Sequence, residues 1–295
     1  MTHSTSDAGQ GTWYSETLHS GLRTSIEARK VLFDSETEHQ RLVVIESVGF
    51  GKVVLLDGVI QLTTSDEFIY HEMLAHLPIL AHGAVADVLI VGGGDGGMAE
   101  EALKHDGVKR LTMVEIDAGV IDFAREHLAE VNKGCFDDPR FDLVIADGKD
   151  FVASTDKRYD LVIVDSTDPI GPGEVLFTET FYGACKSILK PGGILVTQNG
   201  VPFFQAGELK ATMAAFSGLF ADASCYLASV PTYFGGDMAF GWGTDNADLR
   251  TVPLETLKAR YAASGIETRY YTPEVHQAAF ALPAYVRDMV EAAGR

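Results

Sequence analysis

The chain has 295 residues, of which 46% are hydrophobic and 22% charged, so it can bury a substantial core in one large domain or in a medium domain with a small companion. Its formal net charge of −19 argues against nucleic acid as a partner, because phosphate binding is driven by lysine and arginine. The three cysteines lie far apart, residues 1–12 have no apolar signal-peptide core, and no apolar run is long enough to span a bilayer. We therefore expect a cytoplasmic protein without a disulfide framework, a structural zinc site or a membrane span.

Near the N-terminus, short apolar segments alternate with turn residues. The segments cover residues 38–46, 52–56 and 59–63, and Asp57-Gly58 between the last two is a strong hairpin signal. This pattern predicts a small antiparallel β domain over residues 1–65.

A helix is predicted next, capped by Ser65, running over residues 68–77 and ending before Pro78. It carries His71 and His76, whose arrangement resembles a zinc-protease motif but misses it by one residue. A separation of five residues places the two imidazoles about 140° apart around a helix. We therefore predict no metal site here.

From residue 88 onwards, strands alternate with helices, which predicts a parallel sheet covered on both faces. The predicted strands are 88–91, 110–116, 141–146, 159–164 and 193–197, followed by an antiparallel edge pair over 225–230 and 238–243. The predicted helices are 99–104, 120–129, 178–189 and 205–220, with terminal helices over 253–295. The fold class is α/β, with the small β domain followed by a Rossmann-like, doubly wound domain over residues 66–295.

The central motif is a glycine turn between the first strand of this domain and its helix. Its spacing, Gly92-x-Gly94-x-x-Gly97, fits nucleotide-binding folds, in which the backbone must lie against a ligand. Asp95 lies inside the turn, where a carboxylate would repel a pyrophosphate. We infer a nucleotide or nucleoside ligand that is cationic at this point.

Acidic residues follow the next two strands, at the edge of the sheet where ligands bind in open α/β folds. Glu115 lies 18 residues beyond Gly97, a spacing that suits hydrogen bonds to both ribose hydroxyls, while Asp117 is the better helix cap. Asp147-Gly148 ends the third strand, where a carboxylate can accept from an adenine amine, although on spacing alone a simple turn is the stronger explanation of this dipeptide.

Two more carboxylates, Asp165 and Asp168, follow the fourth strand, and we expect them to face Asp95 across the crevice. Like charges in one site raise a carboxylate pKa, which suits a group that accepts a proton. Three converging acids predict a site for a cation.

At this point the sequence resembles the polyamine aminopropyltransferases, and in particular the bacterial spermidine synthases. The resemblance runs from about Trp13 to Leu282, and its motifs are Glu67-Phe68-Ile69-Tyr70-His71-Glu72, Gly92–Gly97, Val114–Asp117, Asp165–Pro172 and Pro231-Thr232-Tyr233. It implies an N-terminal β domain, a methyltransferase-type Rossmann domain and a homodimer or homotetramer. It also implies transfer of an aminopropyl group from decarboxylated S-adenosylmethionine, a co-substrate, to putrescine, giving spermidine and methylthioadenosine without a cofactor or a metal.

The resemblance further assigns roles to individual residues. Asp165 matches the proton acceptor, Tyr70 helps to place the attacking nitrogen, and Asp95 and Asp168 match carboxylates that hold the aminopropyl ammonium. The residues that match contacts to the methylthioadenosine part are Gln40, Glu115, Asp147, Gly148 and Pro172. The residues that match the polyamine groove are His71, Ser166, Thr167, Gln198 and Tyr233.

Three other functions are less consistent with these residues. An ordinary methyltransferase of the same fold would need room for the methionine carboxylate, which the three aspartates oppose, and a nicotinamide dehydrogenase is disfavoured by Asp95. A non-catalytic polyamine sensor would need no proton acceptor. Within the family, agmatine, cadaverine or spermidine stays open as the acceptor.

Overall fold

The computed structural model describes residues 11–37, 39–168 and 171–293, with the backbone alone for residues 171, 172 and 293. The predicted contact of the Pro172 side chain therefore lies outside the described residues. In the part of the chain that is described, no helix is both long and apolar enough to cross a membrane.

The N-terminal region forms an antiparallel sheet in which each described strand pairs with the next along the chain. Asp57 and Gly58 both adopt positive φ, 48° and 85°, as the predicted hairpin turn requires. The first strand was not predicted, because its five residues include two aromatic side chains but no clear alternation. The strands are β1 (Thr12–Glu16), β2 (Thr24–Glu36), β3 (Arg41–Ser47), β4 (Lys52–Leu56) and β5 (Val59–Thr63).

The predicted helix after this sheet is α1 (Glu67–His82), and its N-cap is Asp66 rather than Ser65. The Asp66 carboxylate does not cap the helix, because it accepts hydrogen bonds from Thr63 Oγ1 at 2.6 Å and from Thr232 N and Oγ1 at 2.7 and 2.6 Å. The helix start is thus tied to a distant loop instead of to a local capping hydroxyl. The predicted domain boundary between residues 65 and 66 falls in this junction and stays a prediction.

The predicted end of α1 before Pro78 is wrong, since the helix continues through Pro78 to His82. Residues 69–81 are all buried, so packing outweighs the cost of about 3 kcal/mol that a helical proline carries. Arg260 Nη1 donates to the carbonyls of Leu80 and Ala81, which satisfies acceptors at the helix end.

Strands and helices then alternate as predicted, and most boundaries differ from the prediction by one or two residues. The first part contains β6 (Asp87–Gly92), α2 (Gly97–Leu103), β7 (Arg110–Glu115), α3 (Ala118–His127), α4 (Ala129–Asn132), a 3-10 helix (Cys135–Asp137) and β8 (Phe141–Ile145). The second part contains α5 (Gly148–Ser154), β9 (Tyr159–Asp165), a 3-10 helix (Gly171–Phe177), α6 (Glu179–Ser187), β10 (Leu189–Gln198), α7 (Ala206–Leu219), β11 (Asp222–Ala228) and β12 (Met238–Thr244). A 3-10 helix (Ala247–Thr251), α8 (Leu254–Ser264), α9 (Pro273–Ala279) and α10 (Ala284–Ala293) complete the described chain.

The second sheet has the strand order β11-β12-β10-β9-β6-β7-β8 among the described residues, with an antiparallel edge and a parallel centre. Along β6, Val88 and Ile90 face one hydrophobic core, whereas Leu89 and Val91 face the other. A core on each face is the mark of a doubly wound sheet. The chain is therefore an α/β protein with an N-terminal antiparallel sheet and a Rossmann-like domain, as predicted.

The sheet register fixes where the candidate site lies. The chain order changes direction around β6, which pairs with β7 on one side and β9 on the other. Gly92 at the end of β6 is in register with Asp165 at the end of β9. The glycine turn and the fourth-strand aspartate therefore meet at the crevice where such sheets bind ligands.

Candidate active site

Two glycines of the turn lie too close to neighbouring elements to be replaced by a residue with a side chain. Gly92 has φ 86°, and a Cβ on it would lie 2.1 Å from the carbonyl oxygen of Asp165. A Cβ on Gly97 would lie 2.2 Å from Cε1 of His71, while Gly94 lies against the Glu115 carboxylate. The predicted turn therefore brings β6, β9 and α1 into contact around one point.

Asp95 lies in this turn, next to the start of α2. Its Oδ1 accepts from Gly97 N at 2.7 Å and lies 3.5 Å from His71 Nε2. Burial raises the pKa of the Asp95 carboxyl, although the charge of His71 and the Gly97 hydrogen bond oppose this shift.

Asp165 lies beside Asp95, and its two oxygens have different surroundings. Oδ1 accepts from the Tyr70 hydroxyl at 2.6 Å, whereas Oδ2 is buried and has no hydrogen-bond partner among the described residues. Burial, followed by the charge of Asp95, raises the pKa of Asp165 to about 6, against the lowering effects of His71 and Tyr70. This side chain therefore has the geometry and the pKa of a group that exchanges a proton near neutrality.

His71 is held between two acids. Its Nδ1 lies 2.7 Å from Glu67 Oε2, one helical turn earlier, while Nε2 faces Asp95. Burial lowers the pKa of the imidazole, but Asp95 and Glu67 outweigh burial and raise it to about 10. The ring is therefore protonated on both nitrogens at neutral pH, with Nδ1 donating to Glu67 and Nε2 in an ion pair with Asp95.

The ligand atoms of His71, Asp95 and Asp165 all lie within 4.8 Å of one another. Imidazole and carboxylate groups are metal ligands, but a protonated imidazole has no lone pair to offer a cation. The predicted separation of the two histidines is confirmed, because His76 lies elsewhere, with Nδ1 3.0 Å from Nε2 of His105. The expectation that the protein uses no metal stays a prediction.

The expected convergence of three aspartates holds for two of them. Asp168 lines the same cavity but is held by Gln205, whose Nε2 donates to its Oδ1 at 2.7 Å. Burial raises the pKa of Asp168, and the Asp168 charge in turn contributes to a raised pKa of Glu16. Asp165, at the end of β9, and Asp168, three residues later, therefore have different hydrogen-bond partners.

The predicted nucleoside side of the cavity is formed at the ends of β7 and β8. Glu115 is buried, and burial raises the pKa of its carboxyl to about 7, although the N–H of Asp117 donates to Oε1 at 2.9 Å. Asp117 caps α3 as predicted, accepting from Gly119 N at 2.9 Å. Gln40 lines the cavity and donates from Nε2 to Asp117 at 3.2 Å, so the N-terminal sheet reaches this side.

Asp147 and Gly148 also line the cavity. Asp147 caps α5, accepting from Lys149 N at 2.8 Å, so the structural explanation of this dipeptide is a helix start that the sequence pattern did not indicate. A Cβ on Gly148 would lie 2.4 Å from Cγ1 of Val91, so this position of the cavity wall has no room for a side chain.

The predicted polyamine groove residues lie around the loop after β9. Ser166 and Thr167 line the cavity, and Ser166 Oγ is buried without a described partner. Gln198 Nε2 donates to the carbonyls of Ser166 and Thr167 at 3.1 and 3.3 Å, so this amide supports the loop backbone. Tyr233 donates to Gln61 O at 2.6 Å and meets the edge of Tyr70.

Sequence reasoning missed several polar residues of the cavity. Glu16 and Gln205 line it, and Thr37 donates to Asp117 at 2.6 Å. Glu16 lies on the unpredicted strand β1, where its Oε1 accepts from Ile60 N at 2.8 Å. Glu16 lies 79 residues before Asp95 and 149 before Asp165 in the sequence, so no local pattern could have grouped these acids.

The cavity has a volume of about 310 Å³ and is lined by residues of both sheets. A doubly wound sheet with a glycine turn and an acid at the end of the following strand is typical of nucleoside-binding α/β enzymes, and a buried cluster of carboxylates favours ligands that carry positive charge.

Comparison with known proteins shows the family to which the chain belongs. A family model described as the spermine/spermidine synthase domain matches residues 67–253, and one described as the spermidine synthase tetramerisation domain matches residues 12–64. The chain is similar to the polyamine aminopropyltransferase of Ruegeria sp. (strain TM1040), with 58% identity over 94% of this chain and 98% of that protein. It is 57% identical to polyamine aminopropyltransferase 1 of Pseudomonas aeruginosa over 92% of this chain and 96% of that one.

Solved structures agree with these matches. A spermidine synthase crystallised in complex with the transition state analogue AdoDATO has a TM-score of 0.90 and 34% identity, covering 99% of this chain and 98% of that one. Spermidine synthase from Thermotoga maritima has a TM-score of 0.89 and 35% identity, covering 96% and 95% of the two chains. The chain belongs to the spermine/spermidine synthase family, and the predicted class of enzyme, an aminopropyltransferase, is confirmed.

Proposed function

We propose that the protein transfers the aminopropyl group of decarboxylated S-adenosylmethionine to putrescine, giving spermidine and methylthioadenosine. The observation that carries this proposal is the Asp165 carboxylate beside a second acid, Asp95. One of its oxygens is held by Tyr70, and the other is buried without a hydrogen-bond partner among the described residues. Such a pair favours cationic ligands, and both substrates are cations.

Asp165 is the proton acceptor in this proposal. Putrescine is almost fully protonated at neutral pH, because an amine has a pKa of about 10, and its nitrogen attacks only after losing a proton. The free Asp165 oxygen takes that proton while Tyr70 fixes the carboxylate. The carbon–nitrogen bond then forms as the carbon–sulfur bond breaks, and the electron pair of the broken bond goes to sulfur.

The leaving group needs little help from the protein. A sulfonium departs as a neutral thioether, so the reaction requires neither a metal nor a general acid, and positioning for in-line attack supplies much of the rate enhancement. Asp95 holds the aminopropyl ammonium and repels the carboxylate that ordinary S-adenosylmethionine still carries. Glu115 takes the ribose hydroxyls and Asp147 the adenine amine, with Gln40, Gly148 and Pro172 completing that side.

The acceptor amine occupies the remaining length of the cavity. Its reacting nitrogen lies near Tyr70, His71 and Tyr233. Its second ammonium lies near Asp168, which we move from the aminopropyl side that the resemblance implied because Asp168 is held by Gln205 and has the further acid Glu16 in its surroundings. Ser166 and Thr167 line the path between these ends, and Gln198 supports it. The match of residues 12–64 to a tetramerisation domain supports assembly of this chain into homotetramers.

The test is a product analysis with a base-deficient variant. The wild-type protein is incubated with decarboxylated S-adenosylmethionine and, separately, putrescine, cadaverine, agmatine or spermidine, and the products are identified by mass. We expect spermidine from putrescine, and Asp165→Asn to lower turnover by about 10²–10⁴-fold, the usual range for a lost general base. The exposed Asp288→Asn serves as the matched control.

Three outcomes contradict the proposal. Preferential use of another amine changes the substrate, methylation with S-adenosylmethionine itself changes the reaction, and near-normal turnover of Asp165→Asn removes this residue from the proton-accepting role.

A further inference from the structure

Gln205 joins two carboxylates with one amide group. Its Nε2 donates to Asp168 Oδ1 at 2.7 Å and to both oxygens of Glu208 at 3.2 Å. Its Oε1 accepts from Val201 N at 2.8 Å. Because an N–H group faces Oε1, the amide orientation is fixed and its NH₂ group must face the two acids.

The backbone is built to receive this amide. Gly200 has φ 62°, and a Cβ there would lie 2.5 Å from Cδ and Oε1 of Gln205. A side chain at position 200 would therefore displace Gln205 from the cavity wall. The close approach ties the amide to the end of β10 as well as to the start of α7.

Glu208 lies in the first turn of α7, where an acid usually stabilises the helix dipole. Here both of its oxygens accept from the Gln205 side chain instead of serving the helix start alone. Burial, followed by the charge of Asp168, raises the pKa of Glu208 to about 7, against the lowering effect of the Gln205 hydrogen bond. Two acids thus share one neutral amide, and a cation at Asp168 would relieve the repulsion between them.

We propose that Gln205 and Glu208 are positioning residues that hold Asp168 for the second ammonium group of the acceptor, and that they set the preference for diamines over monoamines. The inference rests on the proposed function, because it concerns the acceptor side of the same cavity. Gln205 takes one oxygen of Asp168 and leaves the other for the ligand. Glu208 acts through Gln205, adding negative potential without lining the cavity itself.

The test compares two acceptors that differ only in the second charge. The specificity constants kcat/KM for putrescine and for butylamine are measured in wild type and in Gln205→Met, which keeps the length of the side chain but removes the amide. We expect the value for putrescine to fall about tenfold through KM, since a hydrogen bond to a charged group contributes about this much, and the value for butylamine to change less than about twofold.

A second variant isolates the charge of Glu208. Glu208→Gln lowers kcat/KM for putrescine by about threefold, as expected for a charge that acts through a neighbour, and leaves butylamine unchanged. Glu179→Gln is the matched control, because Glu179 is an exposed acid in the first turn of the neighbouring helix α6. Glu208→Gln also carries the test if Gln205→Met does not fold, which thermal unfolding reports.

Equal losses with both acceptors, or a loss in kcat without a change in KM, overturn the inference and leave Gln205 a structural role. A wild-type protein that makes no product from either amine contradicts the proposed function instead. In that case calorimetric titration of putrescine and butylamine into wild type and Gln205→Met decides the inference on binding alone. A diamine-specific loss of affinity supports it, and no difference overturns it.

Discussion

His71 provides a positive charge inside a cavity that is otherwise acidic. Glu67 on one ring nitrogen and Asp95 on the other keep it protonated, so Asp165, the proposed proton acceptor, has an imidazolium as a neighbour. This charge lowers the pKa of Asp165, which burial and Asp95 raise. The balance of these effects leaves the carboxylate ionised at neutral pH and still able to accept a proton.

This balance predicts a pH dependence. In the proposed mechanism Asp165 accepts a proton in its ionised form. Burial and Asp95 raise its pKa to about 6, so kcat/KM should fall as the pH drops through about 6. His71→Gln removes the positive charge, which raises the pKa of Asp165, and the acid limb of the profile should move to higher pH. The pH profile of kcat/KM in both proteins is the measurement.

The control is His82→Gln, a half-buried histidine at the other end of the same helix, which should keep the wild-type profile. The groups that face Asp165 are Tyr70 and His71 from α1 and Asp95 from the glycine turn. An acid limb that stays in place in His71→Gln would show that the imidazole carries no charge that Asp165 senses.

At the scale of elements, α1 is the helix on which the site depends. Three successive residues have three different tasks: Tyr70 donates to Asp165, His71 faces Asp95, and Glu72 holds the C-terminal segment. The Glu72 carboxylate accepts from the N–H groups of Arg269, Tyr270 and Tyr271 at 2.7, 2.8 and 2.7 Å. Glu72 thus fixes the buried helix to the C-terminal segment, while Tyr70 and His71 contact the candidate site.

Glu72→Gln should therefore destabilise the protein. The amide keeps one acceptor oxygen but places an NH₂ group against backbone donors, and hydrogen bonds to charged groups contribute about 1.5–3 kcal/mol each. We expect a loss of about 3 kcal/mol, measured as a lower Tm in thermal unfolding. Glu267→Gln, an exposed acid just before the same segment, should leave Tm unchanged. An unchanged Tm in Glu72→Gln would show that these three N–H groups find other partners.

At the scale of the whole molecule, the cavity exists only where the two sheets meet. Tyr233, in the loop between β11 and β12, donates to Gln61 of β5, and Gln40 reaches from the first sheet to Asp117. Glu16 of β1 lines the cavity together with Asp168 of the Rossmann-like domain. The small β domain is therefore a wall of the candidate site as well as the region proposed to form the oligomer.

The first sheet also exposes apolar side chains. Trp13 on β1 and Val31 on β2 are 38% and 42% exposed, which favours burial against another copy of the chain. We expect light scattering to give about four times the chain mass of 31.8 kDa, and Val31→Glu to shift the protein to smaller species. Tyr285→Glu on α10 is the control, because Tyr285 is similarly exposed, at 44%, in the other domain. A wild-type monomer would contradict the proposed tetramer.

Local chemistry explains what could be predicted from the sequence. The hairpin at Asp57-Gly58, the glycine turn and the alternation of strands and helices follow from backbone preferences and hydrophobic period within a few residues. The meeting of Asp95 with Asp165 also follows, because parallel strands bring their carboxyl ends to one edge. The family motifs added the roles of single residues.

Competition between distant partners explains what could not be predicted. The Asp66 carboxylate bonds Thr232 instead of capping its helix, α1 continues through Pro78 because residues 69–81 are buried, and Asp168 is held by Gln205. Each outcome depends on which groups from other elements arrive at the same place, and on the free energy of burying or pairing them there. The sequence by itself determined most of the elements, the crevice and its acidic character. Only the tertiary structure decided which acids pair, which carry a raised pKa and how the first sheet closes the cavity.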